Sequence, residues 1–257
     1  YELDEGDDWK DETVWAKANP NLGVSVYMHG MREACRKALE QPSAQPNFQC
    51  KRLNRWVNVA GRFLSIEDWA DCAGIRSPDE IESRAEGRRI WAGLDLSKTN
   101  DLTALVALVE PEDEGGSWDL FCRFWCPGDD LSERAARTGL PFVQWAEEGW
   151  LLPTAGAVVD YKLVRDEILS IADHSPLVSL GHDPTYARYL VEDLLGEGIE
   201  CHEVRQGWKT ISPAMMDLER WVLSRKLAHG GNPILRWMAS NLQAKTDAAG
   251  NIMPVKP

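Results

Sequence analysis

Three short apolar runs, at 90–96, 102–109 and 118–126, follow one another with only a turn between them. They are rich in Leu, Val, Ala and aromatic residues, and Lys98, Asn100 and Asp101 punctuate the first gap as Asp113, Gly115 and Gly116 do the second. Parallel neighbours need a crossover of about a dozen residues or more, which neither gap allows. The runs therefore predict three β-strands in an antiparallel meander.

Beyond the meander the pattern alternates. One helical turn at 132–137 and a helix at 141–148 come first. A helix is expected at 161–172, with Asp160 as N-cap and Leu163, Ile168, Ile171 and Ala172 on one side. A strand at 177–180 leads into His182-Asp183-Pro184. A helix at 186–195 stops at Gly196, a strand occupies 199–204, and a helix at 213–226 starts with Pro213 after Ser212. A last helix covers 233–242. The order β-β-β-α-β-α-β-α predicts an α/β fold with a mixed sheet flanked by helices, which is the ribonuclease H-like plan. Upstream, 1–88 reads as an arm or linker and 89–257 as the domain proper. The arm carries a helix at 31–41, an apolar and basic stretch at 48–59, a short helix opened by Ser65 in a capping-box pattern with Asp68, and a weaker helix at 79–85.

Composition removes several classes. The uncharged apolar stretch 102–109 is eight residues, against about 20 needed to span a bilayer. The acidic start YELDEGDDW has no apolar segment of the signal-peptide kind. The six cysteines form no CxxC and no zinc spacing, and read as buried reduced thiols. No GxxxxGK[ST] phosphate loop is present. The 12 Trp outnumber Tyr and Phe together, and core packing is the expected role for most of them.

The net charge of −13 argues on its face against a nucleic-acid partner. Its distribution says otherwise. Residues 1–12 carry seven acids and one Lys, and 110–119 carry five acids and no base, which together account for eleven of the thirteen charges. Both segments read as solvated. By contrast, 32–62 and 205–245 each hold seven bases against two acids.

Two acids stand where ligands gather. Asp95 ends the first strand in GLDLS, and Asp183 follows the fourth strand in LGHDP. In the predicted fold these strands are neighbours, so the two carboxylates face one another, an arrangement that a divalent cation relieves. Each has a plainer alternative: Asp95 as a turn acceptor, and Asp183 as an Asx turn opening the next helix. Asp101 is a possible second-shell group or turn cap. His229 either orients a phosphate or closes a turn, Asp160 caps its helix, and Asp247 lies in a TDAAGN turn.

The segments WAKANPNLG (15–23), FQCKRLNRWV (48–57), GLDLSKTNDLTALVAL (93–108), HDP (182–184), QGW (206–208) and LAHGGNPILRWMASN (227–241) occur in this order. Together they resemble the C-terminal half of the large terminase subunit of tailed double-stranded DNA bacteriophages, over nearly the whole chain. The resemblance implies a linker plus a ribonuclease H-like nuclease that cuts concatemeric DNA, without the motor's N-terminal ATPase. It implies a two-metal site of Mg²⁺ or Mn²⁺ with Asp95 and Asp183 as catalytic ligands. The family's third acid lies close to the C-terminus, in a segment after the Asn-Pro helix, and the chain stops at Pro257 just before that segment; Asp247 is a poor fit to the role. Arg205, Lys209, Arg225 and Lys226 are the expected DNA contacts. Double-stranded DNA, a portal protein and a small terminase subunit are the implied partners, no membrane is involved, and the host cytoplasm is the implied location. Two alternatives stand beside this: a non-catalytic docking module of the motor, and an actin-like or sugar-kinase ATPase core, whose phosphate loop GLDLSKTN also resembles.

Overall fold

The computed structural model describes residues 1–4, 6–40, 44–55, 63–99, 101–247 and 249–255, the side chain of Pro46 aside. By contacts the chain forms two compact units, Tyr1–Ser65 with Ser240–Pro257, and Ile66–Ala239.

The first unit contains α1 (Trp15–Ala18), α2 (Met28–Glu40) and α3 (Gln45–Leu53). Trp15 is its centre, buried with Met31, Cys35 and Ala38 of α2 and Phe48 and Leu53 of α3. The indole Nε1 of Trp15 donates to the carbonyl of Trp9 at 2.9 Å, so the terminal segment wraps the tryptophan. The terminal acids lie at the surface as expected, but several are paired. Lys17 Nζ reaches Asp4 at 2.7 Å and Asp7 at 2.9 Å, and Arg32 reaches Glu12 at 2.7 Å. α2 starts three residues before the expected 31, and α3 ends at Asn54 in the left-handed conformation, φ 50°. The latter part of the 48–59 stretch lies outside the described residues.

The second unit opens with α4 (Ile66–Ala73), directly after Ser65, and α5 (Pro78–Ala85). α5 has a full capping box between Ser77 and Glu80. Then follow β1 (Ile90–Asp95), β2 (Thr103–Val109) and β3 (Trp118–Pro127). They pair antiparallel in sequence order, Asp95 opposite Ala104 and Ala104 opposite Phe124, which is the expected meander. Next come α6 (Leu131–Thr138), α7 (Phe142–Glu147), β4 (Leu152–Thr154), α8 (Tyr161–His174), β5 (Leu177–His182), α9 (Arg188–Gly196), β6 (Cys201–Glu203), α10 (Trp208–Leu223), β7 (Leu227–Ala228) and α11 (Pro233–Asn241). The sheet order is β4-β3-β2-β1-β5-β6, with β7 also on β3. β1–β5, β5–β6, β3–β4 and β3–β7 are parallel. The architecture is the mixed α/β, ribonuclease H-like plan. The chain then returns to the first unit with a hairpin of β8 (Gln243–Thr246) and β9 (Ile252–Val255).

Each face of the sheet has its own cover. Leu94, Leu105 and Leu180 pack under Val164 and Ile168 of α8 and Leu190 and Leu194 of α9. On the other face Cys122 and Phe124 of β3 pack with Phe142 and Trp145 of α7 and Ile234 of α11. That second face is open at the β1–β5 side, where Gly93 and Asp95 are exposed.

Several expectations need correction. α10 begins at Trp208, not Pro213, because Gly207 in an extended conformation (φ −136°, ψ 158°) starts it earlier; Pro213 sits inside the helix. The proline removes one backbone donor near the helix start and frees the carbonyl of Lys209, an exposed residue. Leu163 faces solvent and Val164 takes its buried place in α8. β4 and β7 are two or three residues long, too short for a periodic signal, and exist only because β3 offers them an edge. Cys50 is exposed and Cys201 half-buried, while the other four thiols are buried.

The acidic 110–119 segment is also not uniformly solvated. Asp119 has no exposed side-chain surface and meets Arg76 at 2.6 Å, Arg84 at 3.1 Å and Arg88 at 3.6 Å. Glu112 closes the cluster from outside, on Arg84 and Arg88. A buried carboxylate persists only when paired this way.

Candidate active site

β1 and β5 run parallel with Leu94 opposite His182, so Asp95 and Asp183 are the next residues on adjacent strands. Such strands lie about 4.8 Å apart. Both acids thus emerge at the same end of the sheet, at the carboxyl ends of β1 and β5, where open α/β sheets gather ligands. Asp95 is exposed on the uncovered face, two residues after Gly93, and a Cβ built on Gly93 meets nothing within 4 Å. The face beside Asp95 is open ground.

Asp183 is half-buried and held on both oxygens. Oδ1 accepts from the backbone N–H of Thr185 at 2.8 Å, and Oδ2 accepts from Gln206 Nε2 at 3.0 Å. The bonds from Thr185, with smaller help from Gln206 and His182, hold its carboxyl below the usual carboxylate range. The Thr185 bond is the Asx turn of the plainer sequence reading, and it coexists with a position beside Asp95.

Described residues of the segment after Asp95 are hydrogen-bonded in place. Ser97 N–H donates to Thr103 Oγ1 at 3.0 Å, Asp101 N–H to Ser97 Oγ at 3.1 Å, and Tyr161 Oη to the Ser97 carbonyl at 3.2 Å. Asp101 is therefore a residue of the turn behind Asp95, with an exposed side chain. Asp160 caps α8 through Lys162 N–H at 2.9 Å, as expected.

The expected basic contacts divide. Arg205 and Lys209 are exposed and flank Gln206, next to Asp183. Arg225 and Lys226 sit beyond the far end of α10, a 16-residue helix that spans about 24 Å. Arg225 is ion-paired with Asp71. The carbonyl of Lys226 accepts from Trp118 N–H at the start of β3, the opposite end of the sheet from the Asp95 end. His229 lies there too. It is 3% exposed, stacked on Trp69 at 4.1 Å between centroids, with Nε2 at 2.8 Å from the Trp69 carbonyl. Burial lowers its pKa. It closes a turn in the core, and the structure does not bring it to the carboxylates. Gln206 was the missed partner; it stands in the QGW segment, but a glutamine in a loop carries no sequence signal of its own.

The donor chemistry of Asp95 and Asp183, two carboxylates on an open face, fits a hard divalent cation that keeps several waters. Among the described residues there is no group of three or more acidic, His or Cys side chains placed to hold a metal ion. Asp247, in the first unit, spends its carboxylate on the β8–β9 turn, accepting from Ala249 N–H, Asn251 N–H and Asn251 Nδ2 at 2.8–2.9 Å.

Residues 1–257 match, as a whole, the family described as the terminase large subunit, endonuclease domain. The chain belongs to this terminase family. It is 35% identical to the large terminase subunit of Enterobacteria phage HK97 over 259 residues, covering 98% of this chain and 48% of that protein. It is 32% identical to protein YmfN of Escherichia coli K12, covering all of this chain and 57% of that one. The crystal structure of the HK97 bacteriophage large terminase superposes with a TM-score of 0.66 at 34% identity, over 99% of this chain and 52% of that one. The chain thus spans about half the length of these terminase relatives. No helix among the described residues is long and apolar enough to cross a membrane.

Proposed function

We propose that this terminase nuclease domain is a metal-dependent endonuclease that cuts concatemeric double-stranded DNA for a viral packaging motor. The observation that carries the reading is the register of β1 on β5, which sets Asp95 and Asp183 side by side on an open face. Two Mg²⁺ or Mn²⁺ bound there would activate water and stabilise the leaving 3′-oxygen. Asp95 and Asp183 would hold the metal, Asp183 with its orientation fixed by Thr185 and Gln206. Gly93 leaves room for the duplex backbone. Arg205 and Lys209 would contact phosphates beside the carboxylates without reading sequence, whereas Arg225 and Lys226, beyond the far end of α10, would contact the backbone only away from them.

Residues 1–88 would serve as arm and 89–257 as nuclease fold, with α4 and α5 as arm helices packed on the sheet. The partners follow the same reading: an N-terminal ATPase domain, a portal protein and a small terminase subunit, in the host cytoplasm. Two acids rather than three among the described residues favour a second reading, a docking module without catalysis. Plasmid degradation in Mn²⁺ separates the two. We expect wild type to cut and Asp95→Ala to be inactive with an unchanged melting temperature. Full cutting by Asp95→Ala would refute the assignment, and an inactive wild type would favour the docking reading.

A further inference from the structure

The two acids have matched followers. Lys98 lies three residues after Asp95, and Tyr186 three residues after Asp183. The structure joins these followers: Lys98 Nζ sits 4.5 Å from the centroid of the Tyr186 ring. The cation and the ring therefore meet at the end of the sheet where both carboxylates emerge.

Neither group is there by default. The Lys98 backbone is pinned, its carbonyl accepting from Val159 N–H at 3.1 Å and the carbonyl of Thr99 accepting from Arg134 Nη2 at 3.1 Å. Its side chain is exposed and has no carboxylate partner within salt-bridge distance among the described residues. Tyr186 has φ +64°, a left-handed conformation that an aromatic residue adopts only against a steric penalty, and the residue is 53% exposed. A glycine would suit that backbone better and no core needs the ring, so the strain is retained for something the ring does outside the core. What it does here is hold an ammonium over its face.

We infer that Lys98 is a phosphate-binding residue of the nuclease site and that Tyr186 is its positioning residue, parking the ammonium beside the carboxylates until the DNA backbone takes it. This rests on the nuclease reading above. An ammonium held by a ring rather than a carboxylate gives up little when a phosphate replaces the ring, so it is poised for exchange.

The test is binding of the 257-residue chain to a non-specific 30-base-pair duplex in EDTA, as a function of salt, run beside Mn²⁺-dependent plasmid cutting. Removing one phosphate contact lowers the slope of log affinity against log salt by about 0.9. Lys98→Gln should show that change and an affinity loss of about fivefold at low salt; Lys98→Arg should restore both. Tyr186→Phe should behave as wild type. Tyr186→Gly should melt at a higher temperature, since the backbone strain is gone, and yet bind more weakly. A merely structural role would move stability and binding together. An unchanged slope in Lys98→Gln, with wild type binding and cutting normally, overturns the inference and leaves the nuclease reading intact. An unchanged slope with altered Mn²⁺ affinity would make Lys98 a counter-ion of the carboxylates instead. A wild type that neither binds nor cuts DNA overturns both.

Discussion

Arg76 Nη1 donates to Asp119 Oδ1 at 2.6 Å, on a carboxylate with no exposed surface. Arg84 and Arg88 share the same carboxylate, and all three arginines come from the segment that precedes β1. The pair ties this segment to the first turn of β3. Asp119→Ala leaves three guanidinium groups without their shared acceptor, and we expect a loss of about 3–5 kcal/mol. Urea unfolding of the two proteins measures it; a loss below about 1 kcal/mol would mean that the cluster is solvated after all.

Glu219 gives a pH dependence of defined sign. It lies between Met215 and Val222 on the buried stripe of α10, and its Oε1 is buried with no hydrogen-bond partner among the described residues. Burial pushes the carboxyl up from 4.5 to about 7. The folded protein therefore holds this proton over a range in which the unfolded chain has lost it. The contribution is fully present below pH 4.5 and is lost as pH rises through 7. Glu219→Gln should remove this slope and stabilise the protein at pH 8 by about 2 kcal/mol, a figure reduced for the half-buried setting of the side chain. Parallel melting curves of both proteins from pH 5 to 8 decide it.

Gly93 separates stability from activity. A Cβ there meets nothing within 4 Å, and a strand prefers valine to glycine by about 0.5–1 kcal/mol. Gly93→Val should melt no lower than wild type, yet cut plasmid about tenfold more slowly because its side chain stands where the duplex must approach Asp95. Unimpaired cutting would place the DNA elsewhere.

Gly230 is a purely structural position. It has φ +61°, and an added Cβ would lie 3.1 Å from both Cα and N of Pro78. Rigid backbone cannot yield as a side-chain tip can. Gly230→Ala should cost about 2 kcal/mol through strain and contact together, read as a lowered urea midpoint with unchanged cutting per folded molecule.

Much of the second unit was legible because its signals are local. The meander follows from run lengths and gaps, and β1 pairs antiparallel with β2 and β2 with β3 as expected. The cap of α8 at Asp160 is a contact between residues two apart. Errors came where a tertiary partner overrode a local cue. Pro213 looked like a helix start, but Gly207 began the helix earlier. Asp119 looked like one more solvated acid, and only the arrival of three arginines from upstream explains its burial.

The candidate site shows the same division. The sequence by itself determined that one strand ends in an aspartate and another is followed by one, that a turn with a lysine follows the first, and that the family pattern spans the chain. The tertiary structure decided which charges share a place. It brought Gln206 to Asp183 and Lys98 to Tyr186, and it left Arg225, Lys226 and His229 at the opposite end of the sheet. The reason is physical. Periodicity and turn chemistry act over a few residues, whereas a strand crossing or a 16-residue helix carries the chain across the whole domain before its next charge is placed.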